Sequence, residues 1–169
     1  MRNRPAALTL ILLFLLACLA IPALVQGQPQ ECKEAQESRS PQAQVDLFTI
    51  CLDSPGLQGD ERAQTYKQRA VAYMHLGRHQ FALDDINHGM KLKSDDSDMY
   101  YLRGFAYRAL GQYQKAVEDS NRAISMDPTF AAAYANRAFA YQALGEKSRA
   151  KSDAMRAKEL DPSVKVPRL

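Results

Sequence analysis

Few residues in this sequence could do chemistry. His75 and His79 stand four apart, a spacing that could set two imidazoles over one metal ion on a single helix face. Gly77 lies between them at a predicted turn, so they are not expected to share a face. With His88 they read as surface histidines. The sequence holds no Gly-rich phosphate loop, no His-Glu-x-x-His and no Cys-x-x-Cys. No catalytic residue, cofactor or metal ligand is therefore expected, and the function read here is not enzymatic. What remains is pairing chemistry. Cys32 and Cys51 are an even pair once Cys18 is set aside, and their spacing does not suit zinc. In an exported chain they could form a disulfide that stabilises the fold by about 3 kcal/mol. The other reading leaves Cys51 as a buried apolar side chain and Cys32 free. Three Arg–Asp pairs recur at constant separation: Arg69 with Asp85, Arg103 with Asp119, and Arg137 with Asp153.

The elements that must position these pairs emerge from internal self-similarity. Segments starting at Ala63, Ser97 and Ala131 superimpose column by column. The fourth column is Tyr66, Tyr100, Tyr134, and the seventh is the arginine of each pair. The eighth is Ala70, Gly104, Ala138. The eleventh is Tyr73, Tyr107, Tyr141, and the fifteenth is Gly77, Gly111, Gly145. The twentieth is Ala82, Ala116, Ala150; the twenty-third is the aspartate; the twenty-seventh is Gly89, Ala123, Ala157. Small residues at three columns let two helix backbones approach closely. The column of glycines ends a helix in the left-handed conformation. Asp127-Pro128 and Asp161-Pro162 stop the next one, because a residue before proline avoids the helical region. Each unit is thus a helix hairpin that buries its apolar face only by stacking on its neighbours. The arginine falls on the first helix and the aspartate on the second. The pairs are expected to form an interhelical ladder worth about 0–1 kcal/mol each if partly exposed.

This pattern resembles the tetratricopeptide repeat over residues 63 to about 162, with departures at Gly89, Ser94 and Thr65-Tyr66. Tyr100-Tyr101-Leu102-Arg103-Gly104-Phe105-Ala106-Tyr107 is similar to the first helix of bacterial exported members. The resemblance implies an all-α, right-handed solenoid of three helix hairpins, with repeats at 63–96, 97–130 and 131–164. It also implies a concave groove lined by the first helices. The groove residues would be Lys67, Val71, Met74, Tyr101, Phe105, Arg108, Phe139 and Gln142, forming an apolar stripe with polar flanks suited to a peptide or helix. Alternatively, Val71, Phe105 and Phe139 pack within the stack. Chaperone-tail members clamp a carboxylate with Lys, Asn and Asn; Lys67 matches, but Val71 and Leu102 do not, so that clamp is not expected.

Residues 28–41 read as a polar tail, and 42–62 as a capping half-repeat helix and loop. In that helix Val45, Phe48, Cys51 and Leu52 form a stripe, Pro41 suits the first turn, and Asp60 is placed to cap the helix that follows. At the other end, Lys151 and Lys158 replace the apolar pairs Leu83 and Met90, then Val117 and Ile124. That charged face predicts the end of the array, followed by a short tail over 165–169.

Residues 1–27 carry Arg2 and Arg4, an apolar run from Ala6 to Ile21, Pro22, and the small-residue site Val25-Gln26-Gly27. This is the pattern of a cleaved secretory signal peptide, which predicts a periplasmic or secreted protein. An uncleaved anchor and lipidation at Cys18, within Leu15-Leu16-Ala17-Cys18, are the rival readings; only these would bring the chain to a membrane. Without the two arginines, the 22 basic residues become 20 against 19 acidic. The two signs alternate along the chain, which excludes the clustered basic face of a nucleic-acid binder. The expected function is a protein–protein interaction module or adaptor. The alternatives are a weakly self-associating structural array, with Ala131-Ala132-Ala133 among its surfaces, and a lipid-anchored envelope assembly factor.

Overall fold

The structure, a computed structural model, describes residues 29–168. The expected signal peptide over 1–27, with Cys18, lies outside the described residues. These residues form eight helices: α1 (Gln30–Glu37), α2 (Pro41–Asp53), α3 (Gly59–His75), α4 (His79–Leu92), α5 (Ser97–Ala109), α6 (Tyr113–Met126), α7 (Ala131–Ala143) and α8 (Lys147–Leu160). No helix among them is long and apolar enough to cross a membrane.

The helices form an all-α solenoid of hairpins, α3/α4, α5/α6 and α7/α8, and the glycine column makes each hairpin turn. Gly77, Gly111 and Gly145 take φ of 70°, 74° and 79°. There the chain closes two reversed hydrogen bonds: Arg78 N donates to the Tyr73 carbonyl at 2.8 Å, and Gly77 N to that of Met74 at 3.0 Å. The same pair recurs after α5 and α7, so each first helix ends in a Schellman motif. At the far end of the second helices, Asp127 and Asp161 sit in extended backbone before proline. Their carboxylates accept from Thr129 and Ser163, and these hydrogen bonds hold both pKa values below the ordinary range.

Side-chain size sets the interhelical spacing. Ala70, Ala138, Ala82, Ala116, Ala150, Ala123 and Ala157 are fully buried. Gly104 is tighter still, because a Cβ there would lie 3.2 Å from Asn136 Nδ2 and 3.3 Å from the Ala116 carbonyl. Each helix packs on its neighbours in sequence, and the first helices of successive repeats also touch one another, α3 on α5 and α5 on α7. The first helices therefore share one face of the array.

The N-terminal end departs from the sequence reading. The stretch 28–41 is not a plain tail, because it contains α1, whose Cys32 and Ala35 are buried against the rest. Polar composition hid a two-residue apolar contact, which is enough for a helix of eight residues packed on α2. Cys32 and Cys51 are brought into disulfide geometry, with Cα atoms 5.2 Å apart, and cluster with Leu52 and Leu57. Ser40 caps α2 by accepting from Ala43 N, and Pro41 takes its first turn as expected. Asp60 is not a cap: α3 begins one residue earlier at Gly59, whose φ of 56° suits only glycine, and Asp60 lies in the first turn. At the C-terminal end the tail forms no helix. It runs back along α7, buries Pro167, and its Arg168 carbonyl accepts from Gln142 Nε2 at 2.7 Å. Lys151 and Lys158 stay exposed, and Lys158 Nζ donates to the Pro162 carbonyl.

Candidate partner-binding groove

The Arg–Asp ladder joins the two helices of each repeat. Arg69 donates to Asp85 through Nε and Nη2, both at 2.7 Å. Arg103 meets Asp119 in the same way at 2.8 Å, and Arg137 meets Asp153 at 2.7 Å. The aspartate side chains are only 6–9% exposed. These pairs are thus buried and bidentate, not the half-solvated pairs expected, and removing one partner costs far more than a surface pair would. Burial works against the charge on Arg69, but the bond and charge of Asp85 outweigh it and raise the pKa. The Asp119 and Asp153 bonds raise Arg103 and Arg137 likewise, against burial. Tyr66 and Tyr73 lie 5.8 Å from the Arg69 guanidinium, and Tyr134 and Tyr141 flank Arg137. The tyrosine columns therefore serve the arginine column.

A third partner of each arginine escaped the sequence reading. Arg103 Nη1 reaches back to Asn87 Oδ1 at 3.4 Å, Arg137 Nη1 to Asn121 Oδ1 at 2.6 Å, and Arg69 Nη1 to Thr49 Oγ1 at 3.0 Å. The ladder thus ties each repeat to the helix before it. The signal was present in the sequence: Asn87 and Asn121 share a column whose last member, Met155, is 57% exposed and has no repeat after it among the described residues.

On the face shared by the first helices lie two recesses. The first, of about 560 Å³, is floored by Phe48, Val71, Tyr101, Leu102 and Phe130. Its rim carries Lys67 and the amides of Gln36, Gln44, Gln64 and Gln68. Burial raises the pKa of Tyr101, whose ring packs 5.0 Å from that of Phe130. Lys67 Nζ is held by Asp96 at 2.9 Å and Asp98 at 3.5 Å. Its charge is thus already paired, which agrees with setting the carboxylate clamp aside. The second recess, of about 400 Å³, shares Tyr101 and adds Phe105, Arg108, Asn136, Phe139 and the tail residues Val164 and Lys165. The Arg108 guanidinium lies 4.8 Å from the Phe105 ring and 5.0 Å from that of Phe139. Its Nε donates to Asn136 Oδ1 at 2.6 Å, and Asn136 donates in turn to Ser120.

Of the eight predicted groove residues, six line the two recesses: Lys67, Val71, Tyr101, Phe105, Arg108 and Phe139. Met74 instead packs on the cluster of Ala70, Ala82 and Met99, and Gln142 is engaged by the tail. Among the lining residues that sequence reasoning missed are Phe48 and Phe130, contributed by α2 and a loop, and Asn136. Of Ala131-Ala132-Ala133, Ala133 is fully buried, while Ala131 and Ala132 are half-buried and Ala132 lines the second recess. His88 stacks on Tyr66, and His79 packs edge-on to Phe105 with Nδ1 buried. No group of three potential metal ligands occurs among the described residues.

Comparison with known proteins agrees with the geometry. Family models for the TPR repeat and the tetratricopeptide repeat match residues 104–145 and 131–164. No curated protein matches by sequence. Among solved structures, the first TPR of Spaghetti (RPAP3), bound to the HSP90 peptide SRMEEVD, is 27% identical at a TM-score of 0.60, covering 64% of this chain and 86% of that one. The second TPR domain of human RPAP3, in complex with the HSP70 peptide SGPTIEEVD, is 26% identical at 0.56, covering 61% and 86%. MamA shares the fold at 24% identity and a TM-score of 0.63, covering 72% and 69%.

Proposed function

Because this chain is a tetratricopeptide-repeat protein, we propose that it is an exported interaction module, which holds an extended segment of another protein in its concave groove and catalyses nothing. The observation that carries this reading is the pair of neighbouring recesses on the first-helix face, with Tyr101 in both linings. Apolar floors and amide rims meet there, the combination that holds side chains and backbone of an extended peptide together. Aromatic side chains and an arginine at the centre are the usual anchors of such contacts. The RPAP3 domains, similar in sequence and fold, bind peptides, which supports the same use here. Export rests on the N-terminal pattern and fits the Cys32–Cys51 geometry, because a disulfide persists in an oxidising compartment. An adaptor role in envelope assembly follows from export and binding together.

The test is affinity purification from envelope and secreted fractions with the wild-type chain and a Phe105→Ala, Phe139→Ala variant. The expected result is a specific partner that the variant loses while its circular dichroism stays helical. A variant that folds and keeps every specific partner would overturn the groove assignment.

A further inference from the structure

Arg108 differs from the ladder arginines in one respect. Each ladder guanidinium meets a carboxylate, whereas Arg108 forms no ion pair among the described residues. Its one protein hydrogen bond uses Nε, toward Asn136. Its guanidinium lies against the rings of both Phe105 and Phe139. Its Nη groups have no hydrogen-bond partner among the described residues, and Arg108 lines the second recess. Burial with no compensating anion lowers the Arg108 pKa, opposite to the ladder arginines. A cation kept in this state costs desolvation energy that a carboxylate would offset.

We propose that Arg108 is an acidic-residue subsite, taking the side-chain carboxylate of an aspartate or glutamate in the bound segment through its Nη edge. The two rings hold the guanidinium from the side, so the carboxylate meets its Nη edge with two parallel hydrogen bonds. Asn136 holds the guanidinium at Nε, and Ser120 holds Asn136. The two recesses lie side by side with Tyr101 in both linings, so a segment filling both passes Arg108 and reaches it with a side chain, not a chain end. The occupant is thus a peptide with an apolar residue for the Val71–Phe130 floor and an acidic residue beside it. Lys67 takes no part, because Asp96 and Asp98 already hold it.

This inference rests on the groove being the binding face, and its test separates the two. Peptides from a random displayed library are selected on the protein produced from its complete reading frame. The leading peptide is then synthesised with capped ends, alongside its acidic-to-amide counterpart. The wild type is expected to enrich one Asp or Glu next to an apolar position. Changing that residue to its amide should weaken binding about 10- to 100-fold. Arg108→Gln should weaken the acidic peptide similarly and leave the amide peptide unaffected. Arg108→Lys should restore only part of the loss, since an ammonium cannot stack or fork. Peptides that compete for the groove, fail against Phe105→Ala, and show no acidic enrichment would overturn the Arg108 subsite and leave the groove standing. Selection that yields no binder, or binders indifferent to Phe105→Ala, would overturn both. Because the peptide-side change alters no protein residue, a misfolded Arg108 variant does not blur the result.

Discussion

Replacing Asp119 with asparagine is the sharpest test of how the array is held. The side chain keeps its shape and loses its charge. Two bonds of 2.8 Å to Arg103 are at stake, and Asp119 is 9% and Arg103 23% exposed at the side chain. The amide can still accept from one nitrogen, but its own N–H group then faces the other, donor against donor. Arg103 keeps only a 3.4 Å contact to Asn87 and the ring of Tyr100. Breaking a buried pair costs roughly 3–5 kcal/mol, and the residual exposure of Arg103 sets the lower end, about 3 kcal/mol. For a domain of this size that lowers the melting temperature by about 10 °C. The assay is thermal and urea unfolding followed by helical ellipticity, with the exposed neighbour Glu118→Gln as control, expected within about 0.5 kcal/mol. A shift of under about 2 °C for Asp119→Asn would show that the ladder is only a solvated surface pair, and the argument for a buried interhelical ladder would fail.

Two further outcomes follow from the same geometry. Cys32→Ser should cost about 3 kcal/mol under oxidising conditions and abolish the effect of reductant on the urea midpoint; equal midpoints for both chains without reductant would mean that no bond forms. Asn121→Ala removes a 2.6 Å bond to Arg137 and should cost about 1 kcal/mol, more than Asn87→Ala, whose bond is 3.4 Å; the reverse order in urea titrations would contradict the latch between repeats.

The repeat frame was legible because close packing leaves few choices. Only small residues fit where Ala116 and Ala123 meet their neighbours, and only glycine turns at 77, 111 and 145, so the same types recur. The boundaries of α5 and α7 fall where the columns begin, at Ser97 and Ala131. The ends were harder to read, because they have no second copy to compare. Helix α1 buries just Cys32 and Ala35, too little for a periodic signal, and the tail along α7 is irregular. In the groove, Val71, Phe105 and Phe139 could be read because they share a column. Phe48 and Phe130 come from outside that column and reach the recess only through tertiary packing. The state of Arg108 was invisible for another reason: the lack of a carboxylate partner is a property of space, not of sequence.

Photo-crosslinking most directly tests the claim that the first-helix face holds the partner. A photoreactive phenylalanine analogue is placed at Phe105 in one chain and at Phe81, 58% exposed on the second helix of its repeat, in another. The account predicts that the Phe105 position captures the partner and the Phe81 position does not. Capture from Phe81 with none from Phe105 would place the binding surface on the opposite face and contradict it.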